Sequence, residues 1–540
     1  MFNQQLILPT SLSTPQSAVI QRKVAIAACF GTFLEWYDFL TFASLATYFS
    51  TLFFPQENPV ASLLASLATF GVGMLVRPIG AAVFGSLGDK YGRRPVFIAT
   101  IVLMGLSTFC VGLLPTYAQV GMLAPVMLLV LRLLQGFSVG GEIGGAAVYL
   151  TEHAPANKRG IYTSVLQLMG PLGIMVSTLQ VVLLQSYLSV EDFQDWGWRV
   201  PFLISILLLL VSIKSRVNMY ESPVFLHLRE KHALSKAPLR ECLTNRHTLV
   251  RMALLFFCIS AGGSLLFFSS QIYANVYLKS VVRLDPQIAS TLVLLSTLVL
   301  FPLTILFGWL SDRIGRRPVL LAGLLLGCLA IFPVFKGLMH YGNPTLERFN
   351  NEAVVVLYGS LCGYDPFTDT KNDCERNQQM LSKLGVSYTL YPAQKHPSLT
   401  AEGTLVRIGT HEVSGYQPGQ LTQMLKAEGW TEQADPKQTN RSMIFLLLLI
   451  PVIAVGLITG PQTATLAELF PARTRYTAVA FPHNLSAGWI GGMSPFMITL
   501  LSVKAGNPLS GMWYPVGLLT AAFIIGLIFL PETRNVSLEE

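Results

Sequence analysis

Long apolar runs broken by short polar connections dominate the chain. A helix that crosses a bilayer needs about 20 mostly apolar residues. Twelve stretches meet that requirement: 24–50, 62–87, 95–114, 122–150, 161–187 and 199–216, then 251–279, 288–309, 319–340, 441–464, 476–502 and 511–531. The pattern predicts an all-α membrane protein with 12 transmembrane helices. Its expected parts are a six-helix bundle at 1–216, a linker at 217–250, a second bundle made of 251–340 and 441–531, and a tail at 532–540. Residues 341–440 interrupt the second bundle between helices nine and ten as an insertion with no spanning run.

Charge gives these spans a direction. Lys and Arg cluster in alternate short connections: Arg22 and Lys23, Lys90, Arg93 and Arg94, Lys158 and Arg159, Arg313, Arg316 and Arg317, and Arg473 and Arg475. The middle linker adds Lys214, Arg216, Arg229, Lys231, Lys236, Arg240, Arg246 and Arg251, whereas the opposite loops carry acids such as Glu57, Glu191, Asp192 and Asp195. Basic loops stay inside, so both termini and the linker are expected in the cytoplasm and the insertion outside it. No cleavable leader is expected, because residues 1–20 lack a basic start before the first apolar run.

Composition agrees with lipid as the main solvent. Of 540 residues, 52% are hydrophobic and 12% charged, about half the charged fraction of a soluble protein. The net charge of +8 lies in loops with no aromatic-interleaved basic face, so nucleic acid is not an expected partner. Cys29, Cys110, Cys258 and Cys328 fall inside apolar runs. No metal-ligand spacing, HExxH, phosphate loop or Ser/His/Asp arrangement is visible, so neither an enzyme nor a cofactor is expected.

The chain also repeats itself. Gly85-Ser-Leu-Gly-Asp89-Lys-Tyr-Gly92-Arg93-Arg94-Pro95 recurs as Gly308-Trp-Leu-Ser-Asp312-Arg-Ile-Gly315-Arg316-Arg317-Pro318, each after the second span of its six. Two pseudo-symmetric six-helix halves follow. This duplicated loop resembles the signature loop of the major facilitator superfamily. Further stretches resemble its metabolite–proton symporter family: Glu35-Trp-Tyr-Asp38-Phe39, Arg77-Pro-Ile-Gly80, Arg132-Leu-Leu-Gln135-Gly136-Phe-Ser-Val-Gly140-Gly-Glu142, Glu468-Leu-Phe-Pro471, Arg473-Thr-Arg475-Tyr476, Asn484, Gly491-Gly492 and Pro531-Glu-Thr-Arg534. The resemblance covers nearly everything except 341–440. It implies a bacterial inner-membrane importer of a small polar solute, an organic acid or a zwitterionic osmolyte or amino acid, monomeric in the bilayer, with that solute and a proton as its partners.

Chemistry-bearing residues sit inside the spans. Glu35 and Asp38 are three residues apart and share one face of span one. A carboxylate in hydrocarbon costs a few kcal/mol, so the pair reads either as a proton site or as a structural ion pair with Arg77 or Arg132. On span four, Arg132, Gln135 and Glu142 fall within a sector of about 80°, either as a coupling switch or as a static network. Gly136, Gly140 and Gly141 let a neighbouring helix approach, span one being the expected neighbour. Asp89, Arg93, Arg94, Asp312, Arg316 and Arg317 are expected to staple or latch the inner gate. Solute candidates are Gln167, Ser269, Gln271, His483 and Asn484, with Asn484 and then Gln271 preferred. Tyr37 and Arg77 are further candidates, although Tyr37 and Trp36 read more simply as packing residues. Gly170-Pro171 and Gly460-Pro461 are expected breaks that expose backbone to a cavity.

In the insertion, Cys362 and Cys374 occupy an exported, oxidising position and are the disulfide candidates, against two free thiols. Tyr388-Thr-Leu-Tyr-Pro392 and the helix-like Gly419–Glu428 suggest a small α+β subdomain. Proton symport is the leading reading. Its rivals are export or uniport on the same fold, and a sensor working through the insertion.

Overall fold

The computed structural model describes residues 15–54, 59–217, 221–360, 362–363, 370–397, 399 and 403–538. Residues 1–14, Glu57 and the side chains of Arg22 and Lys23, used above, lie outside the described part. The first half contains α1 (Pro15–Phe53), α2 (Pro59–Tyr91), α3 (Arg93–Leu113), α4 (Leu123–His153), α5 (Ala156–Tyr187) and α6 (Gly197–Val217). The second contains α7 (Arg246–Val281), α8 (Pro286–Ile314), α9 (Arg316–Gly342), α10 (Arg441–Glu468), α11 (Arg475–Ala505) and α12 (Ser510–Phe529). Among the described residues, 11 stretches, Gly71–Tyr91 of α2 and all of α3 to α12, are long and apolar enough to cross a membrane. The linker is shorter than its expected 217–250, because α7 starts at Arg246, and it carries short helices at Pro223–Glu230 and Pro238–Thr244.

The sequence repeat has a backbone cause. Gly92 and Gly315 take φ values of 117° and 108°, a region that residues with a Cβ rarely enter. There the chain turns sharply from α2 into α3 and from α8 into α9. Each new helix begins with unpaired N–H groups, and a carboxylate from a distant segment accepts from them. Glu221 accepts from the Arg93 N–H at 3.0 Å, and Glu532 accepts from the Arg316 N–H at 2.8 Å. Burial pushes the Glu221 carboxyl up, against the opposing pull of these donors and of Arg93.

Glycines also set the closest helix contacts, and the neighbour of α4 is α2. A Cβ on Gly136 would run into the Gly73 carbonyl, and one on Gly140 into the Arg77 carbonyl. Such small-residue seams bring backbones together where lipid supplies no hydrophobic drive. In the second half α8 meets α10 in the same way, with Gly460 against Gly308 and Phe307. The helix does not break at Gly460-Pro461 as expected, since α10 runs unbroken through Pro461. Between the halves, α2 packs on α11 and α5 packs on α8. In α7, wide π turns replace regular ones at Leu255–Ser260, Phe268–Tyr273 and Tyr277–Val281.

After α9 the chain leaves the helical part and forms a mixed sheet. Its strands are β1 (Val355–Tyr358), β2 (Thr389–Tyr391), β3 (Leu405–Ile408) and β4 (His411–Ser414), in the order β2-β1-β3-β4. β1 is parallel to β2 and antiparallel to β3, and β4 is antiparallel to β3. Helices Asp373–Lys383 and Pro418–Ala427 accompany the sheet. This unit shares one apolar core with the second half, where Val282 and Leu284 join Leu346, Val355, Leu381 and Trp430. Tyr388 donates through its N–H to the Gly506 carbonyl at 2.9 Å, tying β2 to the turn between α11 and α12.

The α2–α4 seam yields a stability prediction. Gly140→Val must displace the Arg77 carbonyl, and overpacking of this kind costs about 1–3 kcal/mol or more. The amount of folded protein in detergent should fall sharply. Gly517→Ala, where a Cβ meets nothing within 4 Å, should leave it unchanged. Size-exclusion profiles of the two variants check this.

Candidate functional site

A central cavity lies where the two halves face each other. From the first half it is lined by Thr32, Trp36, Arg77, Gln167 and Gly170, and from the second by Phe267, Phe268, Gln462 and His483. It offers about 90 Å³ to water centres, where one water needs roughly 10–15 Å³. Trp36 and Phe267 meet edge to face across it, with centroids 5.7 Å apart. The π turn at Leu255–Ser260 shifts the register of the part of α7 that carries Phe267. α5 breaks at Leu168, between Arg159–Gln167 and Met169–Tyr187, and brings Gly170 and Pro171 to the wall.

Behind this wall lies a row of buried ion pairs. Arg77 of α2 reaches Glu35 of α1 at 3.4 Å, and Arg132 of α4 reaches Asp38 at 3.5 Å. The two acids differ in how they are held. Asp38 also accepts from Gln135 Nε2 at 3.0 Å, and the same amide donates to Thr108. Neither oxygen of Glu35 receives a hydrogen bond from a described residue. Among the described residues Glu35 is therefore paired with Arg77 alone, while Asp38 sits in a network with Arg132 stacked 3.7 Å over the Phe42 ring. Of the two arginines, Arg77 is the one that lines the cavity.

Several expected roles need correction. Glu142 does not join Arg132. It is about 15 Å farther along α4 at 1.5 Å per residue, where it pairs with Arg216 and accepts from Thr100 at 2.9 Å. Arg216, counted above only as a positive loop residue, is fully buried at the end of α6. Tyr37 points away from the cavity and bonds Gln180 and the Pro201 carbonyl. Asn484 spans the two halves by donating to the Gly140 carbonyl at 2.9 Å. Gln271 is held by Thr297 and by Ser270. Asn484, Gln271 and Ser269 are outside the cavity lining, whereas Arg77, Gln167 and His483 belong to it. Gln167 donates to Thr463 at 3.0 Å, and the His483 ring lies 2.8 Å from Ser260. Trp36, read as packing, and Gln462 are wall residues. The Gly460-Pro461 pair next to Gln462 was the only hint of its place.

At the Arg-rich end the halves are joined twice, by the same stereochemistry. Asp89 of α2 accepts from the N–H groups of Tyr476 and Thr477 at 3.2 and 2.8 Å, in the first turn of α11. Asp312 of α8 accepts from those of Gly160 and Ile161 at 2.8 and 2.9 Å, early in α5. Each aspartate thus meets the positive end of a helix from the opposite half. Arg93 reaches Glu152, which also holds Arg475 at 2.9 Å. Arg316 reaches Glu468, which also faces Arg159 at 3.6 Å. Glu152 went unrecognised in the sequence. Its signal was its place at the end of span four, equivalent to Glu468 at the end of span ten. Arg94 and Arg317 do not cross between halves, because they bond the Val217 and Leu527 carbonyls at the ends of α6 and α12.

Comparison with known proteins bears on this arrangement. The sugar (and other) transporter family model matches residues 24–253, 239–366 and 425–540 and leaves 367–424 unmatched. An inner membrane metabolite transport protein of Escherichia coli (strain K12) is 29% identical over 523 residues, covering 96% of each chain. The shikimate transporter of the same strain is 38% identical over 323 residues, covering 59% of this chain and 72% of that one. The proline/betaine transporter of Salmonella typhimurium is 35% identical over 349 residues, 63% and 67% of the two chains. The major facilitator superfamily proton:xylose symporter XylE superposes with a TM-score of 0.61 at 16% identity, covering 97% of this chain and 98% of that one. The fold is that of the major facilitator superfamily, and the relatives are transporters, not enzymes.

The paired aspartates yield the next prediction. Asp89→Asn or Asp312→Asn removes the charge that meets a helix N-terminus, and a hydrogen bond to a charged group contributes about 1.5–3 kcal/mol. A cysteine placed at Gln462 should then be alkylated from the Arg-rich side about tenfold faster, a change of about 1.4 kcal/mol. Unchanged alkylation in both variants would show that these contacts do not hold that end closed.

Proposed function

We propose, from the premise that this chain belongs to the sugar (and other) transporter family, that it imports a small carboxylate-bearing solute by proton symport through alternating access. The supporting observation is the position of Arg77, between the otherwise unbonded carboxylate of Glu35 and the cavity. While Glu35 is ionised, it holds the Arg77 guanidinium. A proton on Glu35 removes that charge and frees Arg77 to take the carboxylate of an organic acid or zwitterion. Solute binding and proton binding then favour each other, as linkage between two sites requires. Trp36, Phe267 and Phe268 supply the apolar face of the cavity, and Gln167, Gln462 and His483 its polar contacts. Asp38, Arg132 and Gln135 hold α1 against α4 and keep Glu35 in place.

The rest of the cycle follows from the two joints. With Asp89 and Asp312 seated on α11 and α5, the Arg-rich end is shut, and rocking of the halves unseats both together. α1 serves as the twelfth span. The positive-inside bias puts the Arg-rich end and both termini in the cytoplasm, in a bacterial inner membrane like that named for the Escherichia coli metabolite transport protein, with the insertion outside. Import on this plan runs from the insertion side to the Arg-rich side. The named solutes of the relatives, shikimate and proline or betaine, carry carboxylates, in keeping with an arginine at the wall.

Uptake into vesicles tests the reading with betaines, proline, citrate, dicarboxylates and shikimate-like acids as the panel. Wild-type uptake should collapse with the proton gradient. Glu35→Gln should retain solute-driven exchange but lose its response to the gradient. Arg77→Gln should raise the half-saturating concentration at least about tenfold, since losing one partner of a buried charge contact costs about 2–5 kcal/mol. Uptake indifferent to an uncoupler in both wild type and Glu35→Gln would establish uniport instead.

A further inference from the structure

Residues 367–424 fall outside the family match, yet they complete a compact fold of their own. β1 leads into helix Asp373–Lys383 and on to the parallel strand β2. The antiparallel pair β3–β4 and helix Pro418–Ala427 follow, in sheet order β2-β1-β3-β4. A parallel βαβ unit continued by an antiparallel hairpin and a closing helix is the arrangement of thioredoxin-type domains, in which a cysteine pair sits after the first strand. Here Cys362 follows the first strand in that way, but its partner Cys374 lies 12 residues on instead of three. Cys362 follows the end of β1 by four residues, and Cys374 lies in the first turn of the next helix. The two are joined as a disulfide with Cα atoms 5.3 Å apart.

The surroundings give this disulfide a place to react. Cys374 is fully buried, while Cys362 is partly exposed. Gly359 supplies the clearance, since a Cβ there would meet both sulfurs. Against Cys374 opens a pocket of about 340 Å³, whose lining includes Ser360, Asn372, Asp373, Thr404, Ser414 and Gly415 but, among the described residues, not Cys362. That volume is within the roughly 300–1,000 Å³ typical of small-molecule sites. The far wall is held firmly: Gly415 donates to the Thr404 carbonyl at 2.8 Å, and Asn377 of the helix donates to the Gly415 carbonyl at 3.0 Å. A disulfide serving only to close a loop requires neither this pocket nor this topology.

We infer that the insertion is a thiol–disulfide exchange module whose Cys362–Cys374 bond reacts with a small-molecule thiol bound in this pocket. The thiolate of the small molecule attacks the Sγ of the partly exposed Cys362, which adjoins the pocket through its bond to Cys374, and forms a mixed disulfide. The Cys362–Cys374 bond breaks, and Cys374 leaves as a thiolate in the first turn of its helix, where the positive helix end favours negative charge. It then takes a proton from water. A second small thiolate attacks the sulfur of the bound molecule, releasing the small disulfide and leaving Cys362 reduced. Two thiols become one disulfide while the protein pair becomes a dithiol, and the small disulfide drives the reverse. This inference does not depend on the transport reading.

The test uses the purified full-length protein in detergent, with reduced and oxidised glutathione as the probe. In native wild type the pair should be reduced and reoxidised reversibly while the protein stays folded. Glutathione-dependent reduction of hydroxyethyl disulfide should run at least about tenfold faster than with a Cys362→Ser/Cys374→Ser double variant. Cys374→Ser exposed to oxidised glutathione should carry one glutathionyl group, mapped by mass spectrometry to Cys362. The double variant retains the five free cysteines, Cys29, Cys110, Cys242, Cys258 and Cys328, and so controls for them. The inference falls if the pair in folded wild type stays oxidised in excess glutathione and opens only on unfolding. It also falls if wild type exchanges no faster than the double variant, or if a protein dithiol but no small thiol reduces the pair.

Discussion

A charge carried into hydrocarbon has to be matched by another charge or by the end of a helix, and this requirement organises the helical part of the protein. Glu35 with Arg77, Asp38 with Arg132 and Glu142 with Arg216 each tie two helices together inside the first half. Desolvation makes such pairs poor sources of net stability, but losing one partner is costly. Their effect is therefore specificity: each helix is held in the register that keeps its charge matched. A pair that must stay matched is also one that a proton or an anionic solute can disturb, and the Arg77–Glu35 pair is the one next to open space.

The same requirement acts at the Arg-rich end with a different partner. There the aspartates answer to unpaired N–H groups at helix starts, and the helix always belongs to the other half. Gene duplication explains why the solution appears twice, down to the turn glycines Gly92 and Gly315 and the capping carboxylates Glu221 and Glu532. The middle of the spans does not follow this symmetry. In mid-span, α1, α2 and α4 carry the charges, whereas α7, α8 and α10 offer Gln271, Thr297 and Gln462. A symmetric frame thus surrounds an asymmetric centre.

The insertion stands apart in its construction. It is built on alternating strands and short amphipathic helices, it is anchored to the second half through β2 and the apolar core around Val282 and Leu284, and it carries its own cysteine pair.

Much of this was legible in the residue order alone. Spans, halves and the repeated loop could be read because lipid imposes a length and a polarity on every crossing segment, and duplication left the same letters twice. Glu35, Asp38 and Arg132 stood out because charge in an apolar run is expensive wherever the helix lies. Partner choice was not legible, because it depends on which helices pack side by side and at what height. Glu142 shared a helical face with Arg132 but stood too far along the axis. Asn484 and Gln271, the preferred solute ligands, were taken up by helix contacts, and Arg216 looked like a loop charge until the fold buried it. Trp36 and Gln462 became wall residues only when two halves distant in sequence closed around a common space. Periodicity and composition are local properties and survive in a string of residues; the neighbour across an interface is set by packing, and only the tertiary structure decided it.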